Sequence, residues 1–215
     1  MRVVGISTYD AIGGAARAAY RLHRGLLALG VESRLHVQRK MLDDETVVGP
    51  QGRLEKLAAM LRSHMDGLPL HLYGKRHETP WTVGWWPANI SREVKKEAPH
   101  VVHLHWTGAG FLSVKGIASL GPSLVWTLHD SWPFTGGCHV TGDCEKYLTK
   151  CGACPQLESR NESDISRLMW MKRYRAWQGM RFTFVAPSQW LADCARRSAL
   201  LQGKPVHVIP NGLDS

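Results

Sequence analysis

The amino-acid sequence predicts an α/β domain built on a doubly wound, mostly parallel Rossmann-like sheet with helices on both faces. Three observations lead there. Short apolar, β-prone runs alternate with stretches of helical period along the whole chain, the order expected of a parallel sheet. The 215 residues are 44% hydrophobic and 21% charged, which suits one such domain with a substantial core. Finally, residues 125–157 begin as a strand and run into a loop rich in glycine and cysteine, just where an open parallel sheet places its ligands.

In chain order, residues 2–7 (RVVGIS) form the first strand. Gly13 and Gly14 follow, just before a helix of Ala15, Ala16, Ala19, Leu22, Leu26 and Leu29 that Gly30 ends. A strand, a glycine turn and a helix together aim free backbone N–H groups and a positive helix end at an anion. Without a Cβ, glycine also lets that anion approach the backbone closely. Neither G-x-G-x-x-G nor a Walker lysine is present, so the turn is not a dinucleotide fingerprint or a P-loop. A tight turn with no ligand is the plainer alternative.

Residues 34–37 read as a second strand and residues 46–48 as a short third. Residues 53–65 are amphipathic, with Leu54, Leu57, Ala58 and Leu61 on one face and Arg53, Lys56 and Arg62 elsewhere. Such a basic helix either lies on an anionic membrane surface or packs its apolar face on the core, and the second is the expectation. Residues 68–88 lack a period and read as a long loop. Asn89 is placed as N-cap of a charged helix, and HVVHLHW then forms a buried strand with His103 and His105 on one face, ending near Trp106. Residues 111–120 are expected to be helical.

The next strand, residues 123–128, ends in His129 and Asp130, two titratable residues at its carboxyl end. A loop over residues 131–160 follows, holding Trp132 and four of the five cysteines. Beyond it, residues 164–180 read as a helix, 182–186 as a strand, and Pro187-Ser188 as the opening of a last helix, in which Cys194 is a packing residue. A final strand, residues 206–209, leads into PNGLDS.

The formal charge of +9 suits anionic partners: nucleotides, diphosphate-linked substrates, phospholipid head groups or nucleic acid. MRVVGISTYD has no apolar core of a signal peptide, and no run approaches eighteen apolar residues. The expectation is therefore a cytoplasmic protein with reduced thiols.

Six motifs in order carry a resemblance: DAIGGAARAAYRLHRGL, VVHLHW, TLHDSWPFTGGC, CGACPQL, FVAPSQWLADCA and VIPNGLD. Together they resemble the N-terminal half of a GT-B glycosyltransferase of family 4, in the branch with a cysteine-rich loop. The resemblance implies a Rossmann-like acceptor-side domain over residues 1–210, with residues 211–215 starting an interdomain linker. It implies that Gly13 and Gly14 approach the donor diphosphate and that His129 lies beside the transferred sugar. Asp130 either orients His129 or caps the next turn, while His105, Trp106 and Trp132 line the acceptor cleft. Transfer is implied to retain configuration and to need no metal for chemistry. The donor would be a nucleotide-sugar and the acceptor a glycan or lipid-linked saccharide, at the inner face of an anionic membrane. No E-x7-E element follows PNGLD, so the donor-binding domain is expected from elsewhere, in cis or in trans, and the chain alone is expected to be inactive. Two other functions stay open: a non-catalytic sugar- or nucleotide-binding domain, and a zinc-stapled nucleic-acid-binding module. The second is disfavoured by basic residues spread over several helices.

Cys138, Cys144, Cys151 and Cys154 are spaced C-x5-C-x6-C-x2-C. The last pair suits a zinc knuckle, and the first is wider than the usual spacing, with His139 an alternative ligand. A structural zinc site, two disulfides and four free thiols all remain open. The loop is expected to lack the apolar residues to order itself, which is the case for a metal.

Overall fold

The carboxyl edge of one seven-stranded, all-parallel sheet organises the molecule. The computed structural model describes residues 1–87, 90–121 and 123–212. In chain order the elements are β1 (Arg2–Tyr9), α1 (Gly13–Ala28), β2 (Glu32–Arg39), β3 (Val47–Val48), α2 (Arg53–Gly67), α3 (Ser91–Lys96), β4 (Val101–Leu104) and α4 (Val114–Ala118). They continue with β5 (Ser123–Thr127), α5 (Ile165–Trp177), β6 (Arg181–Ala186), α6 (Gln189–Arg197) and β7 (Val206–Val208). The strand order is β3-β2-β1-β4-β5-β6-β7, every pairing parallel. The order reverses between β1 and β4, and a crevice opens at such a switch point in sheets of this kind.

The central strands bury apolar residues: Val4, Ile6, Leu104, Leu124, Trp126 and Phe184 lie in the main core. Trp126 sits at its centre, against Trp177 at 5.6 Å, Phe182 at 6.0 Å and Phe184 at 6.0 Å between ring centroids. Aromatic pairs at such spacing add stability beyond their buried area.

Several elements differ from the sequence expectation. α4 is confined to Val114–Ala118, because the residues before it turn through Ala109 and Gly110, both at positive φ. α3 starts at Ser91 after Ile90, and the expected cap Asn89 lies outside the described residues. The cysteine loop also buries more apolar surface than expected. Phe134, Tyr147 and Leu157 join the main core, and Ser198 Oγ donates to the carbonyl oxygens of Phe134 at 2.9 Å and Tyr147 at 3.3 Å. At α5 the Asp164 carboxylate caps the helix at Ser166 N (3.0 Å) and accepts from Cys154 N (2.8 Å), tying the loop to that helix.

The largest difference concerns α2. Its apolar stripe does not face the core: Leu54, Leu57, Met60 and Leu61 are exposed, as are Leu68 and Leu72 just beyond it. Polar anchors set this rotation. The Asp66 carboxylate accepts from the N–H groups of Val83 (3.1 Å) and Gly84 (2.8 Å), and the Ala59 carbonyl accepts from Gln38 at 3.1 Å. Satisfying a buried carboxylate outweighs burying four leucine-sized side chains on a shallow surface. No helix among the described residues is long and apolar enough to cross a membrane.

Candidate functional site

A cavity of about 490 Å³ opens at the switch point of the sheet. Its lining includes Ser7 and Tyr9 from β1, Gly13 and Gly14 from α1, Trp106 after β4, His129 and Asp130 after β5, and Asn211 after β7. Five residues singled out in the sequence thus meet in one place: Gly13, Gly14, Trp106, His129 and Asp130.

The first turn of α1 forms one wall. Gly13 has φ +84°, a left-handed conformation that side-chain-bearing residues rarely adopt. A Cβ built on Gly14 would meet nothing within 4 Å, so its missing side chain leaves open space at the cavity rather than relieving a clash. No side chain caps the helix at Ile12 and no acidic residue lies in its first turn. The N–H groups and the positive helix end are left for an anion.

His129 forms the opposite wall. Its Nε2 lies 3.1 Å from His105 Nδ1, and the His105 ring stacks on His103 at 4.5 Å between centroids. His103 Nε2 in turn meets Thr127 Oγ1 at 2.8 Å. Burial holds His129 and His103 down at about 4 and His105 well below its ordinary value, so all three rings are neutral near pH 7.

Asp130 does not orient His129. One carboxylate oxygen accepts from Trp132 N at 2.9 Å, capping the following turn. The other accepts from Trp106 Nε1 at 2.8 Å and from His139 Nδ1 at 2.6 Å. His139 Nε2 then meets Thr82 Oγ1 at 2.7 Å. Both ring nitrogens of His139 are occupied, which removes it from the cysteine ligand set. Trp106 is held on one side by Asp130 and stacks on Tyr9 at 6.0 Å on the other.

Two expected cleft residues lie elsewhere. Trp132 is buried in the core, where its Nε1 donates to the Thr82 carbonyl at 2.8 Å and Arg173 lies over its ring. His105 is buried behind His129 and does not line the cavity. The burial of Trp132 follows from the turn after β5 folding back onto the sheet. Conversely, Ser7, Tyr9 and Asn211 line the cavity without having been singled out. Their only signal was position at strand ends, which many residues share. Ser7 Oγ is buried with no hydrogen-bond partner among the described residues, a polar group aimed at a site that a ligand hydroxyl or phosphate would satisfy.

The four loop cysteines line a separate, smaller cavity, and all five cysteines are free thiols. Among the described residues no group of three or more His, Cys, Asp or Glu side chains is already gathered to hold a metal ion.

The family model described as Glycosyltransferase Family 4 matches residues 12–215. The chain is also similar to the Escherichia coli (strain K12) protein described as "Putative colanic acid biosynthesis glycosyl transferase WcaC", 34% identical over 130 residues. That match covers 54% of this chain and 32% of the relative.

Proposed function

The chain belongs to glycosyltransferase family 4, and from that premise we propose that the switch-point cavity is one wall of a cleft for sugar transfer from a nucleotide-sugar to a saccharide or lipid-linked acceptor. The observation that carries this is the convergence of Gly13, Gly14 and His129 on one cavity. Transfer from a nucleoside diphosphate builds negative charge on the departing diphosphate and positive charge on the sugar ring. The N–H groups at Gly13 and Gly14 stabilise the first through fixed dipoles that need no reorganisation. The neutral His129 imidazole hydrogen-bonds a sugar hydroxyl or the acceptor without adding a repelling charge beside the cationic ring. Asp130 acts one step back, as a positioning residue that fixes Trp106 as a flat surface beside the sugar.

The nucleotide moiety extends beyond this edge toward a second domain, supplied in cis or in trans, and transfer retains configuration. The glycan assembled belongs to envelope or exopolysaccharide synthesis, a reading supported by the name of the similar E. coli protein. The test is calorimetric titration of nucleoside diphosphates and their sugars into the protein, followed by mass-spectrometric detection of product with acceptor present and the second domain supplied. Binding weakened by Gly14→Val, with turnover lost in His129→Ala, supports transfer. Binding without turnover in every donor combination favours a non-catalytic binding domain instead.

Peripheral contact with an anionic membrane belongs to the same proposal. The exposed Leu54, Leu57 and Leu61 with the neighbouring Arg53 and Lys56 give α2 the chemistry of an interfacial helix.

A further inference from the structure

One fully buried side chain has no explanation within the sugar-transfer site. Arg173, on α5, is entirely shielded from solvent, and its Nε, Nη1 and Nη2 have no hydrogen-bond partner among the described residues. Its guanidinium carbon stands 4.3 Å from the Trp132 ring centroid. A ring face offers a buried cation only part of what water gave it. A guanidinium carries five donors and does not give up its charge, so a site like this calls for negative charge nearby.

The cysteine loop packs against the same helix: a Cβ built on Gly136 would fall 2.4 Å from the Ser166 carbonyl and 3.0 Å from Cys151 Cβ. Negative charge at Cys151 or Cys138, as at Asp66 and Asp130, would favour the charged guanidinium. Burial holds the Cys138 and Cys151 thiols protonated, and a neutral thiol offers Arg173 no counter-charge. Cys138, Cys144, Cys151 and Cys154 all line a single small cavity, whose void of about 20 Å³ has room for roughly one water-sized particle. The backbone around it is fixed: a Cβ on Gly136 would fall 2.4 Å from the Ser166 carbonyl, and Cys154 N is held by Asp164.

We propose that Cys138, Cys144, Cys151 and Cys154 bind one zinc ion as a structural tetrathiolate, and that Arg173 is its buried counter-charge. Zinc bound by four cysteines displaces four thiol protons, Zn²⁺ + 4 RSH giving Zn(SR)₄²⁻ and 4 H⁺. The centre carries two net negative charges and turns an unpaired cation into a paired one. Sulfurs about 2.3 Å from a common ion stand roughly 3.8 Å apart in a tetrahedron, close to their contact distance. Among the described residues the four thiols are not gathered as a ligand set, so binding requires their side chains to move onto the ion. The loop already packs Phe134, Tyr147 and Leu157 into the core, so the metal locks the loop's position rather than creating its fold. All four positions are filled by protein, so the centre takes no part in chemistry.

The test begins with protein purified without chelator and analysed for metal by mass spectrometry. One zinc per chain is expected, lost in Cys151→Ser and kept in Cys194→Ser. Should Cys151→Ser fail to fold, wild-type protein stripped of metal and titrated with Co²⁺ answers instead. Thiolate-to-cobalt charge-transfer absorption saturating at one ion per chain, with four protons released, supports the site. In chelator competition, Arg173→Met should bind zinc at least tenfold more weakly with unchanged stoichiometry. Absent zinc with four freely titrating thiols, or cysteine pairs in non-reducing peptide maps, overturns the metal centre. An unaltered competition curve for Arg173→Met overturns the counter-charge.

Discussion

His129 Nε2 and His105 Nδ1 lie 3.1 Å apart, so the imidazole facing the cavity is bonded to one buried behind it, and that second ring stacks on His103. A proton added to any of the three is felt by the others. In the unfolded chain each ring takes up a proton near pH 6.5. In the fold His103 and His129 do so only near 4, and His105 well below its ordinary value, because burial penalises the charged form. Between those values the unfolded state binds more protons, so stability is full above about pH 6.5 and falls as pH drops toward 4.

The melting temperature should therefore be flat from about pH 7 to 8 and decline steadily below 6.5. His103 and His129 each contribute on the order of 3 kcal/mol at most to the loss, a large share of a marginal stability. Thermal melts across this range in wild type and His103→Gln provide the check. The variant removes one buried titrating group and should flatten the slope; an unchanged slope would show that other groups govern the acid limb.

His129→Ala is expected to lower kcat at least tenfold in the assembled enzyme, a barrier increase of about 1.4 kcal/mol or more. His129 faces the cavity and burial holds it neutral. Turnover within about threefold of wild type, in protein with native circular dichroism, would remove it from the chemistry.

Asp130→Asn should behave differently. The carboxylate holds Trp106 and His139 but does not meet His129, so its loss removes charge-assisted bonds in a partly buried network. A stability loss of about 1–3 kcal/mol is expected, with a rise in KM larger than the fall in kcat. A fall in kcat matching that of His129→Ala, at unaltered KM, would make Asp130 a catalytic group instead.

Gly14→Val probes the helix end. A Cβ there meets only open space, so the folded protein should lose no more than the few tenths of a kcal/mol that a β-branched residue costs at a helix start. Affinity for a nucleoside diphosphate should fall at least fivefold, because the side chain occupies the place of the phosphate. Unchanged affinity would mean that the turn serves the strand-to-helix connection alone. Gly13 is a poor choice for this experiment, since φ +84° would strain any replacement.

The parallel sheet was legible because apolar runs such as VVHLHW and SLVWTL leave no other way to bury both faces. His129 and the glycine turn were legible because strand ends and helix starts are where chemistry collects. The partners of Asp130 were not: His139 lies nine residues on, and only the fold-back of the loop brings it to 2.6 Å. The same fold-back took Trp132 out of the cleft. Arg173 shows the limit most clearly, since within a basic helical run nothing separates the one arginine that is fully buried from its solvated neighbours. The rotation of α2 was misread for a related reason. Period locates an apolar stripe but not the buried carboxylate, Asp66, that decides which way the helix turns.

That rotation supplies the last prediction. Leu54, Leu57 and Leu61 recur at the spacing of one helix face and are exposed, with Arg53 and Lys56 on the same helix, and Leu68 and Leu72 are exposed just beyond it. An apolar stripe with basic flanks suits an anionic lipid surface, where burying each leucine contributes up to about 1.5–3 kcal/mol and the cations add salt-sensitive attraction. The protein should co-sediment with vesicles containing phosphatidylglycerol, bind less as salt rises, and bind little to pure phosphatidylcholine. Leu57→Glu combined with Leu61→Glu should abolish sedimentation while costing about 1 kcal/mol of stability at most, since about half of each side chain is already in water. Arg53→Gln with Lys56→Gln should weaken binding and reduce its salt dependence. Wild-type protein left in the supernatant, or binding that survives both double variants, would assign the patch to a protein partner and end the membrane reading.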